Sequence, residues 1–164
     1  MTADPSVITA MQELGIVYEE MECDPDLADT AAFCEAYGIP LEQSANAILV
    51  ASRKPEGHNA VCLVLAHTRL DVNGVVRRKL GVRKVSFAPP DLTKELTDQE
   101  IGGVTAFGLA PGLSVWVDSH VLGPAWVIIG AGSRSAKIKL DPQQFDGLEG
   151  FEVVEDLARI PESA

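Results

Sequence analysis

The sequence predicts an α+β fold: a mixed, mostly antiparallel, barrel-like β-sheet flanked by helices, in a single domain over residues 1–164. Three observations carry this. Apolar runs of strand length come in groups, at 45–51 and 60–66 and again at 114–118, 125–129 and 136–140, not in one-for-one alternation with helices. Helical periodicity is confined to short segments between those groups. The 164 residues, 46% hydrophobic and 23% charged, suit one ordinary globular core.

Each element has its own signal. Val7, Met11 and Leu14 share one face of a helix over 6–14 that Gly15 ends. Residues 17–21 read as a strand. Asp29 or Thr30 caps a second helix, 31–37, closed by Gly38 and Pro40. The runs 45–51 and 60–66 flank the turn Lys54-Pro55-Glu56-Gly57 and read as an antiparallel pair. A helix over 72–80 with Gly81 after it, a strand over 82–87 and a short helix over 90–96 follow. Glycines bracket a loop over 101–108. Then come the three strands 114–118, 125–129 and 136–140, a helical turn over 142–148 and a last strand over 151–154.

Composition excludes several classes. There is no run of about 18 uncharged apolar residues, so no membrane partner is expected. The N-terminal stretch MTADPSVITAMQEL has no basic patch followed by an apolar core. Cys23, Cys34 and Cys62 are odd in number and form no CxxC, so neither a disulfide framework nor a zinc site is expected. A reducing, cytoplasmic setting fits. His58, His67 and His120 do not pair at metal-ligand spacing, and no metal or organic cofactor is implied. His67 ends an apolar strand and faces either a pocket or the edge of the core.

The net charge of −11 is unevenly placed. Residues 1–42 hold ten acids and no Lys or Arg, whereas 43–90 carry a net +6. An acidic chain argues against duplex DNA as partner. Arg77, Arg78, Lys79, Arg83 and Lys84 fall within eight positions. They either meet the phosphates of a nucleic-acid end or form a solvated face. The adjacent Gly102 and Gly103 likewise admit two readings. Their N–H groups bind a carbonyl oxygen or oxyanion, or they make a tight strand connection.

The fragments ITAMQELGIVYEEME, DTAAFCEAYGIPLEQSANAILV, HTRLDVNGVVRRKLGVRKVSFA, IGGVTAFGLAPGLSVWVD and VIIGAGSRSAKIKLDPQQF occur in an order that resembles the YbaK/ProX superfamily. These are free-standing relatives of the editing domain of bacterial prolyl-tRNA synthetases. The resemblance runs from about residue 5 to about residue 157 and implies that family's fold. It implies trans-editing hydrolysis of the ester of mischarged aminoacyl-tRNA, with the tRNA(Pro) class first. The partners are then the aminoacyl-tRNA acceptor end and, unless the protein works alone, a synthetase on which it docks.

On this resemblance Asn46, Gly102 and Gly103 are the catalytic candidates. Thr30, His67, Ala106, Phe107, Gly130 and Gly132 line the substrate pocket. Arg77, Arg78, Lys79 and Lys84 meet tRNA phosphates. The sequence departs from the family where Asn46 replaces a lysine, Ala106 a proline, Asp98 a glycine and Ala131 the middle glycine of a run. Asparagine offers a neutral amide in place of an ammonium. The alternative reading is a catalytically degenerate member that binds tRNA or a small ligand without turnover.

Overall fold

The structure, a computed structural model, describes residues 3–110 and 112–161. Helix α1 (Pro5–Glu13) starts at Asp4, whose carboxylate accepts the Ser6 N–H, and it buries Val7 and Met11. Strand β1 (Tyr18–Glu22) precedes α2 (Thr30–Tyr37), which closes on left-handed Gly38. The hairpin β2 (Ala45–Lys54) and β3 (Glu56–Leu65) outruns the apolar runs that predict it. Its ladder continues through polar residues at the turn, where strand pairing needs no burial.

Strand β4 (Arg69–Leu70) was not expected. Periodicity predicts one helix over 72–80, but the chain makes a π-helical turn over Val72–Val76 and then the single turn α3 (Arg77–Leu80). The reason is local. The Asp71 carboxylate accepts from both Gly74 N–H and Val75 N–H, filling space that a Cβ on Gly74 would occupy. After α3 come β5 (Lys84–Phe87), α4 (Pro90–Thr97), β6 (Ser114–Asp118), β7 (Val127–Gly130), β8 (Ala136–Leu140), β9 (Phe151–Val154) and the two-residue β10 (Ala158–Arg159).

The expected α+β, mostly antiparallel architecture is present. A five-stranded sheet has the order β5-β2-β3-β6-β9, and a three-stranded sheet has the order β1-β8-β7. The larger is antiparallel at β5-β2-β3 and parallel at β3-β6-β9; the smaller is wholly antiparallel. One bridge, Ser44 to Ile128, joins them. The main core lies between the sheets and α1, from Val7 and Met11 to Leu63, Val117 and Ile138. A second core around Val50, Val64, Val76 and Trp116 covers the other face of the large sheet.

The glycine loop after α4 packs backbone against backbone on the β7–β8 connection. Gly132 N–H donates to Gly103 O at 2.7 Å, and Glu100 N–H donates to Gly132 O at 3.0 Å. A Cβ on Gly103 would stand 2.3 Å from Ser133 O, and one on Gly130 would stand 2.5 Å from Val104 O. Neither neighbour is a flexible side-chain tip, so the backbone itself would have to move. Gly103→Ala is therefore expected to lose about 1–3 kcal/mol of stability, as overpacked sites do. Urea unfolding measures this, and an unchanged midpoint would show that the two loops are not in tight contact.

Candidate functional site

Where the two sheets meet, a cavity of about 410 Å³ opens. Ser44 and Ile128, the residues of the bridge, are in its wall. The start of α2 supplies Asp29 and Thr30, β2 supplies Asn46, the glycine loop supplies Gly102, and β8 supplies Lys137. Apolar walls come from Ala45, Ala47, Ile129 and Val104.

Thr30 Oγ1 donates to Asn46 Oδ1 at 2.5 Å. Asn46 thus presents its acceptor to Thr30 and keeps its NH2 group, with two donors, for the cavity. Lys137 is the cation of the site, at 6% exposure. Its Nζ donates to Ala28 O at 2.7 Å and to Gly102 O at 3.3 Å, and it lies 5.3 Å from the centre of the Phe33 ring. An ammonium has three donors, so one remains beyond these two carbonyls. No carboxylate pairs with it among the described residues. Burial pushes its pKa below the ordinary lysine value, and nearby Arg134 adds to that effect.

Arg134 fastens the mouth of the cavity. Its Nη1 donates to Ile101 O at 2.9 Å and to Asp29 Oδ1 at 3.2 Å, and its Nε donates to Pro25 O at 3.0 Å. Asp29 or Thr30 was expected as the helix cap, and the position falls to Asp29. It makes no capping hydrogen bond, because its carboxylate turns to Arg134. Among the described lining residues, Asp29 is the one acid and Lys137 the one cation.

The structure brings together Thr30, Asn46, Gly102 and Gly130 of the residues singled out from sequence. Others lie elsewhere. Gly103 N–H donates to Glu100 O at 2.8 Å, so it is not free for a substrate oxygen. Gly132 packs on α1, where a Cβ would meet Asp4 and Val7. Ala106 and Phe107 are buried in the main core, and Phe107 packs against Phe145 and Phe151. His67 does not line the cavity; its Nδ1 is buried without a hydrogen-bond partner. Lys79 is held by Glu152 at 2.5 Å and lies over Trp116, on the second core. Arg77 Nε donates to Asn73 O, and neither Arg77 nor Arg78 borders the cavity. Lys84 lies beside it, in a cleft that shares Phe87 with it.

Sequence reasoning missed Lys137 and Arg134. In Ala136-Lys137-Ile138-Lys139-Leu140, alternation places both lysines on an outer face, and nothing local shows that α2 covers one of them. The three thiols are buried, and burial raises each pKa, to about 12 for Cys62. They are poor nucleophiles.

The family model of the aminoacyl-tRNA editing domain matches residues 24–148, which hold every wall of this cavity. The chain belongs to this family, the YbaK/ProX superfamily of editing domains. It is 29% identical over 125 residues to the uncharacterised protein YwhH of Bacillus subtilis (strain 168), covering 76% of each chain. Two solved structures share the fold. One is the hypothetical protein APE2540, with a TM-score of 0.83, 20% identity and coverage of 94% of this chain and 99% of that one. The other is described as a candidate trans-editing enzyme for prolyl tRNA synthetase, with a TM-score of 0.78, 23% identity and coverage of 96% and 99%. No described helix of this editing-domain protein is long and apolar enough to cross a membrane.

The buried cation has a thermodynamic signature. Folding lowers the Lys137 pKa below its ordinary 10.5, so between the two values the unfolded chain binds more protons. The contribution of Lys137 to stability is therefore best above 10.5 and is lost as pH falls through the lowered value. The stability of the wild type minus that of Lys137→Met should rise with pH across this alkaline window. Urea unfolding at stepped pH measures it, and a flat difference would show Lys137 to be solvated.

Proposed function

We propose that this protein is a trans-editing deacylase that hydrolyses the ester of a mischarged aminoacyl-tRNA, of the tRNA(Pro) class. The observation that carries the reading is the convergence of Lys137, Asn46 and Asp29 on one cavity with small apolar walls. An aminoacyl ester bears an α-ammonium and a carbonyl that becomes negative during hydrolysis. The cavity offers one carboxylate and one ammonium to match them.

At about 410 Å³ the cavity is near the lower end of small-molecule sites. That suits an aminoacyl group and its ribose better than a larger ligand. The Asp29 carboxylate receives the α-ammonium, and the apolar walls receive a small side chain. A water oxygen adds to the ester carbonyl carbon. The negative charge that forms on the carbonyl oxygen meets the remaining Lys137 donor and the Asn46 NH2 group. Collapse breaks the bond from carbon to the ribose oxygen, which takes the proton lost by the water. Free amino acid and deacylated tRNA result. An ester is already reactive, and the neighbouring ribose hydroxyl is at hand to pass the proton, so placement and electrostatics carry the rate.

The test is deacylation of alanyl-, cysteinyl- and seryl-tRNA(Pro) at catalytic protein concentration. Wild type is expected to turn over at least one. Lys137→Met is expected to lose about 100- to 1,000-fold in kcat, the effect of removing an oxyanion donor. Asn46→Ala should lose activity as well. No turnover of any substrate by folded wild type would overturn the reading in favour of binding without catalysis, which the asparagine at position 46 also suits.

A further inference from the structure

Phe87 is the last residue of β5, an edge strand of the large sheet. It shares a strand face with Val85, which is 5% exposed, yet Phe87 is 57% exposed. The register sets it opposite Val50, which is fully buried in the second core, yet the Phe87 ring itself stays in solvent. Three depressions meet at this ring. One is the cavity described above. The second is lined by Arg53, Lys54 and Lys84, with Glu56 its one acid. The third is lined by Arg69 and Arg159, with Asp71 its one acid.

The charge at this place is out of proportion to the chain. Five of its 13 Lys and Arg line the two outer clefts, against two of its 24 Asp and Glu. In the third depression Arg159 pairs with Asp71 at 3.3 Å. In the second, Arg53, Lys54 and Lys84 are exposed and make no ion pair among the described residues. An exposed aromatic ring beside free cations is the pairing that holds single-stranded nucleic acid: bases stack on the ring and phosphates follow the cations. On a body of net charge −11 it also marks where a polyanion can approach.

We propose that Phe87 is the stacking platform for a base of the single-stranded RNA end whose ester enters the cavity, and that Arg53, Lys54 and Lys84 carry its phosphates. This rests on the editing reading and adds the path of the strand. It moves the phosphate contacts from the run 77–79, where Lys79 is held by Glu152, to the cleft beside the cavity, keeping Lys84.

The test reads binding, not turnover. The probe is an uncharged acceptor-stem RNA hairpin with an unpaired 3′ end, titrated by fluorescence anisotropy at several salt concentrations. Phe87→Ala and Phe87→Leu should each weaken binding roughly 5- to 100-fold, and Phe87→Trp should hold it. Changing Arg53, Lys54 and Lys84 together to Gln should lower the slope of log affinity against log salt by about 2. Wild-type affinity in Phe87→Ala and Phe87→Leu overturns the proposal, as does no binding by wild type, or a salt slope carried by Arg77 and Arg78. Phe87-dependent binding by a protein that deacylates nothing sustains this inference while the hydrolytic reading fails. Thermal unfolding of each variant confirms that the exposed ring is not needed for folding.

Discussion

The site depends on one close approach, that of the 102–103 loop to the β7–β8 connection. Two stretches of main chain touch where side chains would keep them apart, and the Gly103 carbonyl accepts from Gly132 N–H at 2.7 Å. This contact sets where Gly102 O lies, and so gives Lys137 its second acceptor. It also brings Arg134 within reach of Ile101 O, Asp29 and Pro25 O together. A wall built from α2, β2, the glycine loop and β8 is thereby closed.

Inside that wall, the arrangement of Lys137 is unusual. Buried charges are ordinarily paired, since removing an ion from water is costly. Here the ammonium meets two carbonyl oxygens and the face of Phe33 in place of a carboxylate. A partner carboxylate would neutralise the charge for any ligand. Carbonyl dipoles hold it while leaving its field directed at the cavity. Asn46 complements this arrangement. With its acceptor taken by Thr30, the amide adds donors and no competing anion.

Charge on the rest of the molecule is sorted by the fold more than by the order of residues. Run 77–84 is the densest basic stretch in sequence, but its members separate. Lys79 turns to Glu152 and Trp116, while Lys84 joins Arg53 and Lys54 from the hairpin beside Phe87. Strand pairing does this, since the register sets Lys84 opposite Lys54.

Local physical chemistry in the sequence determined most of the elements, though not β4 or the π-helical turn over 72–76. The limits of β6, β8 and β9 follow from apolar runs, and the C-terminal ends of α1 and α2 from Gly15 and Gly38. The order of the fragments was enough for the family, and with it came Thr30, Asn46, Gly102 and Gly130, which the structure sets in one cavity. What local pattern does not contain is which face a distant element covers. Alternation made Lys137 and Lys139 equivalent, and only α2 packing on β8 buried the first while the second stayed half-buried over Trp126. The glycines looked alike in sequence, but close packing made Gly103 and Gly132 structural and left Gly102 in the wall. Burial and pairing are properties of contacts far apart in the chain, so tertiary structure alone decided which residues line the cavity.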